Sequence, residues 1–496
     1  MVGAIVLHGE KLDIVCELGA KVGEALGLAV EQVGVSDERA ADRLRSESGK
    51  VWCVASEVML DRELRVDCLS SKVVVRVCEG ELADGGATWV GVGLAGGRGS
   101  ARIRALVERE LNEAHGVVNP RLRGIEASAR EVVALATRAP VVVAADERTY
   151  LVEVGRGVAE RVVRERAFGA AVSLYMSDEN VDRLHGERMR RAASASGVRM
   201  VPVVLPAGEE SKCLKTLAGV FDVALASGVD RSSWVVAVGG GVVTDISGLV
   251  AALWMRGLRW IGIPTTLLSM VDASVGGKTA VDHGMGKNAV GAFWQPSLVV
   301  CDVEFLRTET ERNYIGALSE VVKTAVIGDP ELFELLERES GAIRARDLDL
   351  MTDIVRRCVK VKAHVVGLDE RESGLRAVLN FGHTVGHALE ALGEYRRYTH
   401  GEAVSLGMVA ALRLGERLGN TPPELSARVE RLLVELGLPV ALGSAELEGA
   451  SELLGHDKKR AGSGLKFVFA EGLGCVRPKA VMLEDLRELV VSLADR

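Results

Sequence analysis

Paired cysteines, basic runs and long apolar stretches are all missing from this sequence. Its eight cysteines stand at 16, 53, 68, 78, 213, 301, 358 and 475 with no Cys-x-x-Cys among them. That scatter argues against a disulfide framework or a zinc ribbon and fits reduced thiols in a cytosol. No run of Lys and Arg stands out, and 61 basic against 69 acidic residues leave a formal net charge of −8, which argues against a general nucleic-acid binder. No uninterrupted apolar stretch reaches the roughly 20 residues that a membrane-spanning helix needs. The opening Met-Val-Gly-Ala-Ile-Val-Leu-His-Gly-Glu-Lys has no basic stretch before its short apolar run and meets a charge too soon for a signal peptide. A cytoplasmic protein without membrane or nucleic-acid partners is expected. What is left is the profile of a soluble globular chain: 496 residues, 48% hydrophobic and 26% charged, with room for about three domains.

The pattern changes character twice along the chain. Residues 1–138 mix strand-like and helix-like stretches and end in polar helix candidates at Ser100–His115 and Ile125–Arg138. Pro140 then opens a strand, Val141-Val-Val-Ala, and from there short β-rich runs alternate with amphipathic stretches: Ala171–Tyr175, Met200–Leu205, Trp234–Val238, Trp260–Ile263 and Leu298–Cys301. Such alternation predicts a doubly wound α/β domain over 139–311. Beyond Glu311 long helical periods take over, at Glu331–Glu339, Leu348–Val366, His383–Leu392 and Leu425–Leu436, and predict a mostly helical domain over 312–496. The fold class expected is therefore α/β followed by α, with a small α/β domain in front.

Three of the nine histidines crowd into Asn380-Phe-Gly-His-Thr-Val-Gly-His and the later Tyr398-Thr-His-Gly-Glu. His383 and His387 stand four apart, share a helix face and can converge on one ion, with His400 folding back as a third candidate; the same pair also suits two core histidines bonded to carbonyls. Upstream, the apolar run Val235-Val-Ala-Val meets Gly239, Gly240 and Gly241 before a helix, which lets backbone N–H groups approach a pyrophosphate, although the spacing is not Gly-x-Gly-x-x-Gly and a tight turn explains it equally. Gly276-Gly-Lys-Thr279 is no phosphate loop of the Walker type, because the required earlier glycine falls on Asp272. Lys278, Lys287 and Asn288 nevertheless fall in glycine-bounded loops, and converging cations of this kind suit an anionic substrate carrying phosphate or carboxylate. Glu320 and Lys323 sit three apart in an apolar helical period, where a surface ion pair is the plain alternative. Lys362, Arg376 and Asn380 lead into the histidine segment.

Taken in order, Pro206-Ala-Gly-Glu-Glu-Ser-Lys, Gly239-Gly-Gly-Val-Val-Thr-Asp, Ile263-Pro-Thr-Thr-Leu-Leu, Asp272-Ala-Ser-Val-Gly-Gly-Lys-Thr, Gly286-Lys-Asn-Ala-Val-Gly-Ala-Phe, Glu320-Val-Val-Lys, Leu379-Asn-Phe-Gly-His-Thr-Val-Gly-His and His400-Gly-Glu resemble the motifs of the 3-dehydroquinate synthase family over about 140–496. The resemblance implies an NAD- and zinc-dependent lyase of the shikimate pathway, a homodimer that converts 3-deoxy-D-arabino-heptulosonate 7-phosphate to 3-dehydroquinate and phosphate. It implies Glu320, His383 and His400 as ligands of zinc, or of another divalent metal such as cobalt, with His387 a polar partner of the substrate. NAD would be held by Asp178, Glu209, Lys212, the glycines 239–241, Asp245, Thr265, Thr266 and the Phe305–Thr308 segment, with Lys278 and Lys287 close by. Arg256, Asp272, Lys278, Lys287, Asn288, Lys323, Lys362, Arg376, Asn380 and one of Lys458 or Lys459 would surround the substrate. Two departures stand out: Ser319-Glu-Val-Val-Lys-Thr-Ala where the family usually has Ala-Glu-Val-Ile-Lys-Tyr-Gly, and Thr308-Glu-Thr where it has Thr-Leu-Pro. Related sugar-phosphate cyclases, metal-dependent alcohol dehydrogenases and an inactive scaffold are the alternatives.

The first 138 residues resemble a different family. Gly3 to Leu28 is similar to the opening strand, loop and helix of shikimate kinase, and Trp52-Cys-Val-Ala-Ser-Glu to that family's later strand end. At the phosphate-loop positions, however, stand Leu12, Ile14, Val15, Cys16 and Glu17. Val15 cannot neutralise a phosphate and Glu17 repels one, so a kinase-like relic without kinase activity is expected there, with an unrelated small α/β domain as the alternative.

Overall fold

The computed structural model describes residues 140–495, apart from 146–147, 166–167, 169, 196, 285, 373 and 455–464, and five strands before them. Backbone packing divides the chain into two compact units, Met1–Ala139 and Pro140–Arg496. In the first, β1 (Gly3–Leu7), β3 (Lys50–Ser56) and β2 (Ala29–Val35) form a parallel sheet in that order, and β4 (Val74–Glu81) pairs antiparallel with β5 (Thr88–Ala95). The helices expected at 100–115 and 125–138, and positions 12–17, lie outside the described residues.

The second unit is built on a seven-stranded sheet. Its strands are β6 (Val141–Ala144), β7 (Thr149–Gly155), β8 (Val172–Asp178), β9 (Arg199–Leu205), β10 (Trp234–Gly239), β11 (Arg259–Pro264) and β14 (Leu298–Asp302), in the spatial order β6-β7-β14-β11-β10-β8-β9. All neighbours run parallel except β6 with β7. Trp-Val-Val-Ala-Val-Gly in β10 is buried throughout, as a central parallel strand covered on both faces must be. Its side chains alternate between two cores: Val235 and Ala237 join Leu174, Met176 and Trp260 on one face, while Trp234, Val236 and Val238 join Tyr175, Ile261 and Ile263 on the other. Chain order reverses between β8 and β10, so the crevice beyond their carboxyl ends is the switch point where open α/β sheets bind ligands. Asp178 closes β8 and Gly239 closes β10.

Helices cover the sheet and then take over. α1 (Val158–Glu165), α2 (Glu187–Ser194), α3 (Leu214–Ala226) and α4 (Gly241–Leu253) belong to the α/β half. The helical half holds α5 (Glu311–Gly328), α6 (Pro330–Arg338), α7 (Leu348–Leu368), α8 (His383–Leu392), α9 (His400–Arg417), α10 (Pro423–Glu435), α11 (Ser444–Leu453) and α12 (Leu483–Val491). α5 is buried on all sides from Gly316 to Ile327, the mark of a helix at the centre of a bundle rather than on its surface. The core that begins on one face of the sheet continues without a break through α5, α7 and α9. No helix among the described residues is long and apolar enough to cross a membrane, and Cys213, Cys301, Cys358 and Cys475 form no disulfide.

Two hairpins depart from the sequence reading. The supposed glycine-bounded loops around Lys278, Lys287 and Asn288 are an antiparallel pair, β12 (Lys278–His283) and β13 (Gly286–Phe293), with a register shift between Val281 and His283. β13 is largely exposed, so ladder hydrogen bonds and not apolar alternation hold it, and the periodic signal of a strand is missing. A second hairpin, β15 (Leu465–Gly472) with β16 (Cys475–Val481), lies within the helical half.

Candidate active site

Close backbone packing, set by glycine, brings three helices onto one point. A Cβ on Gly401 would fall 2.0 Å from the Gly316 carbonyl oxygen, and one on Gly407 would fall 1.9 Å from that of Gly382. Only glycine permits α9 to approach α5 and α8 so closely. α9 begins at His400, fixed there by a capping box: Thr399 Oγ1 accepts the Glu402 N–H and Glu402 Oε2 accepts the Thr399 N–H at 2.8 Å. Arg312 on α5 grips the same Glu402 carboxylate. The Glu of the His-Gly-Glu motif thus positions His400. The Ser/Thr-x-x-Glu spacing carried that signal, though the sequence reading passed over it.

At the meeting point Glu320 Oε1 stands 3.5 Å from Nε2 of both His383 and His400, and the candidate ligand atoms lie within 4.8 Å of one another. Glu320 is 1% exposed and neither of its oxygens accepts a well-formed hydrogen bond from a described residue. The Lys323 ammonium balances this carboxylate from the Oε2 side, which leaves Oε1 facing the two ring nitrogens, a set of donors that a shared cation would join. Each imidazole is oriented from behind: His383 Nδ1 faces the Phe381 carbonyl at 3.2 Å, and His400 Nδ1 faces Glu390 Oε2 at 3.3 Å, the second-layer arrangement that metal-ligating histidines use. Burial, aided by the Lys323 ammonium, holds the His383 imidazole well below its ordinary pKa and keeps it in the neutral, ligating form. Burial also disfavours the charge on His400, but the Glu320 and Glu390 carboxylates outweigh it and lift that ring to about 10, so a cation there competes with a proton. His387 lies beside them, its side chain 57% exposed and its ring 5.2 Å from that of His383; it faces outward from the triad. The donor set of two imidazoles and one carboxylate fits a divalent metal of zinc type with open positions.

Around the triad the expected charged residues form one buried cluster. The Lys323 ammonium lies against Glu320 Oε2, and Lys362 Nζ reaches both the backbone oxygen and Oδ1 of Asp272 at 2.5 Å. Burial works against charge on Asp272, yet Lys362 and Lys323 hold its carboxyl far below the usual range. The Ser319 departure is absorbed locally: its hydroxyl donates to the Gly316 carbonyl at 2.8 Å. Arg376 is 2% exposed and its guanidinium is turned to the carbonyls of Gly276 and Glu370.

The crevice side is looser. Asp178 caps the residues after β8, accepting from the N–H groups of Asn180 and Val181. Gly240 caps α4, Thr265 N–H donates to the Gly239 carbonyl at 3.0 Å, and the Thr265 hydroxyl, in a residue only 5% exposed, has no described partner. Thr266 Oγ1 accepts from Ser269. Lys212 Nζ binds Asp245 Oδ2 at 2.6 Å and Asn288 Oδ1 at 2.5 Å, and Glu209 stands 4.0 Å from both Lys212 and Lys287. Phe305 is fully buried against His185, so its backbone carbonyl, which accepts from Thr308, is the group it offers. His185 itself, bonded to Thr308 Oγ1 at 2.8 Å, was not anticipated. Lys278 pairs with Glu372, which also accepts from Asn380, and Lys287 lies 4.1 Å over the ring of Tyr395. Arg256 is exposed in a left-handed backbone at the end of α4; among the described residues no hydrogen bond or ion pair ties it to the cluster. Lys458 and Lys459 lie outside the described residues. Glu390, Glu372 and Tyr395 escaped the sequence reading. Glu390, seven residues after His383 and three after His387, was accessible from helical spacing, whereas the other two sit in loops that carry no such signal.

Comparison with known proteins agrees with this geometry. Residues 202–316 match the 3-dehydroquinate synthase N-terminal region and 317–460 the 3-dehydroquinate synthase C-terminal region. A 3-dehydroquinate synthase of Geobacter metallireducens is 43% identical over 347 residues, 69% of this chain and 96% of that protein, and one of Thermodesulfovibrio yellowstonii is 40% identical over 351 residues, 69% and 97%. Among solved structures, 2-deoxy-scyllo-inosose synthase complexed with carbaglucose-6-phosphate, NAD+ and Co2+ superposes with TM-score 0.64 at 25% identity, over 71% of this chain and all of that one. The 2-epi-5-epi-valiolone synthase of Streptomyces hygroscopicus subsp. jinggangensis, with NAD+ and Zn2+ bound, gives 0.63 at 29%, over 72% and 99%. A crevice at the sheet's switch point, a buried Glu-His-His triad beside it and this degree of identity together place the chain in the 3-dehydroquinate synthase family, among the sugar phosphate cyclases.

Proposed function

We propose that the chain converts 3-deoxy-D-arabino-heptulosonate 7-phosphate to 3-dehydroquinate and inorganic phosphate, as a cytoplasmic homodimer in the shikimate pathway. The observation that carries this reading is the buried Glu320–His383–His400 triad enclosed by Lys323, Lys362 and Asp272. Held by that triad, zinc supplies a Lewis acid for a substrate hydroxyl, while NAD in the β8/β10 crevice supplies reversible hydride transfer. The chain's own side chains do the rest. Lys323 and Lys362 place fixed positive charge where a carboxylate and a developing enolate need it, without reorganisation. Lys278 and Asn380 take the departing phosphate, with Lys287, Arg256 and one of Lys458 or Lys459 as further cations for it. His387, exposed beside the triad, offers Nε2 to the substrate, and Lys212, Asp245 and Asn288 order the hairpin between cofactor and substrate.

A second reading, a related cyclase acting on another sugar phosphate, draws on the likeness to the scyllo-inosose and valiolone synthases. Phosphate release from the heptulosonate phosphate by the purified chain, with product mass followed, separates the two. Turnover that collapses on chelation and NAD removal and returns with both supports the proposal; bound metal and NAD without turnover sinks it. The front unit we read as a kinase-like relic, so shikimate phosphorylation by the intact chain is expected to be nil.

A further inference from the structure

Resting on the reading that Thr265, Thr266 and the Phe305–Thr308 segment hold NAD, one carboxylate beside both has no role assigned by it. Glu309 follows Thr308 in the linker to α5, and its side chain crosses to the other segment: Oε2 accepts the Leu267 N–H at 3.0 Å, one residue past Thr266. The linker is itself tied down. Arg346 Nη1 donates to the carbonyls of Leu306 and Glu309, both at 2.8 Å, and its guanidinium lies 4.6 Å from the ring centre of Tyr314, whose hydroxyl donates to the Ile343 carbonyl at 2.6 Å. Arg346 fixes where the Glu309 side chain starts, and the Leu267 N–H fixes where it ends.

The second oxygen, Oε1, is shut off from solvent and has no hydrogen-bond partner among the described residues. Arg346 is the cation that faces the carboxyl and Tyr314 the other titratable group near it, yet the hydrogen bonds of Arg346 go to backbone carbonyls. A neutral acid can accept the Leu267 N–H at little cost, whereas a charged one would leave a desolvated carboxylate half satisfied. Burial accordingly lifts Glu309 to about 7, against the smaller opposing effects of the Leu267 N–H and Arg346. We propose that Glu309 is a positioning residue for the cofactor: its side chain clasps the Thr265–Thr266 turn to the Phe305–Thr308 segment and keeps the two at the spacing NAD needs. Ionisation works against the clasp, because a carboxylate gains more from water than from one N–H. NAD binding and the neutral form of Glu309 therefore favour each other, so the affinity for NAD is full below about pH 7 and declines as pH rises through that value.

The test is calorimetric titration of NAD into the zinc-loaded full chain at pH 6 and pH 8.5, for wild type, E309Q and E309A, with circular dichroism to confirm folding. E309Q keeps an uncharged acceptor for the Leu267 N–H at both values, and E309A keeps none. At pH 6 wild type and E309Q should bind NAD alike, with E309A about five- to tenfold weaker; at pH 8.5 wild type should fall behind E309Q by a similar factor. Asp245, lifted by burial to about 6, titrates in the same crevice. It is present in all three proteins, so the difference between wild type and E309Q isolates Glu309. A side chain that only stabilised the fold would shift the melting temperature and leave the NAD profile in place. The same pH profile in wild type and E309Q, or E309A binding as tightly as wild type at pH 6, overturns the clasp and leaves the cyclase reading intact. Wild type that binds no NAD at either pH sinks that reading and the clasp with it.

Discussion

The two sides of the site are built differently. On the metal side Glu320, Lys323, His383 and Lys362 are nine-tenths or more buried, each held by helix packing or a partner. On the anion side Lys278, Lys287 and Arg256 stand on a hairpin and a turn, exposed, and the first two are occupied by Glu372 and Tyr395. Substitutions on the first side should therefore act through assembly of the donor set, and on the second through affinity for the substrate.

The contrast breaks most sharply at Glu320. Glu320→Gln should lower turnover by at least about a hundredfold to a thousandfold and leave the protein without stoichiometric metal, read by elemental analysis; retained metal would show that the triad is not its site. Gly401→Ala tests whether packing sets the donors: its Cβ meets backbone that cannot swing aside, and a loss of about 1–3 kcal/mol is expected, read as a fall in melting temperature together with weaker metal binding. A fall in only one of the two would separate packing from ligation. Glu390→Gln should weaken metal affinity by roughly ten- to a hundredfold with little change in melting of the metal-free chain, measured by competition with a chelator.

The smallest effect falls where the two halves join. Glu309 accepts the Leu267 N–H at 3.0 Å and is pushed by burial up to about 7. Its folded pKa lies above the ordinary carboxylate value, so the stabilisation it provides is complete below about pH 4.5 and is lost as pH rises through about 7. Glu309→Gln keeps the neutral form at every pH. The variant should be more stable than wild type at pH 8, by at most about 3 kcal/mol, and little different below about pH 4.5, and denaturant midpoints across that range decide it.

Strand and helix positions were legible wherever burial imposes a period. β10 reads as an apolar run because both its faces are covered, and His383–Leu392 coincides with the expected helix to the residue. Legibility fails on β12–β13, where exposed residues leave no alternation, and at Glu372 and Tyr395, whose lysine partners are nearly a hundred residues or more away in sequence. The choice between His383 and His387 as ligands was open from spacing alone; in the structure His383 is buried and turned to Glu320, while His387 is exposed and turned to Glu390.

The contacts at Gly401 and Gly407 bear on how the three donors are spaced. Because α9 rests directly on the carbonyls of Gly316 and Gly382, the gap between Glu320 and the two imidazoles is set by main chain touching main chain. Side chains can rotate to suit a larger or smaller ion, but abutting backbone cannot. The backbone positions from which Glu320 and the two imidazoles reach inward are thereby fixed by helix against helix, so the span their side chains bridge is a property of the packing and not of the side chains alone.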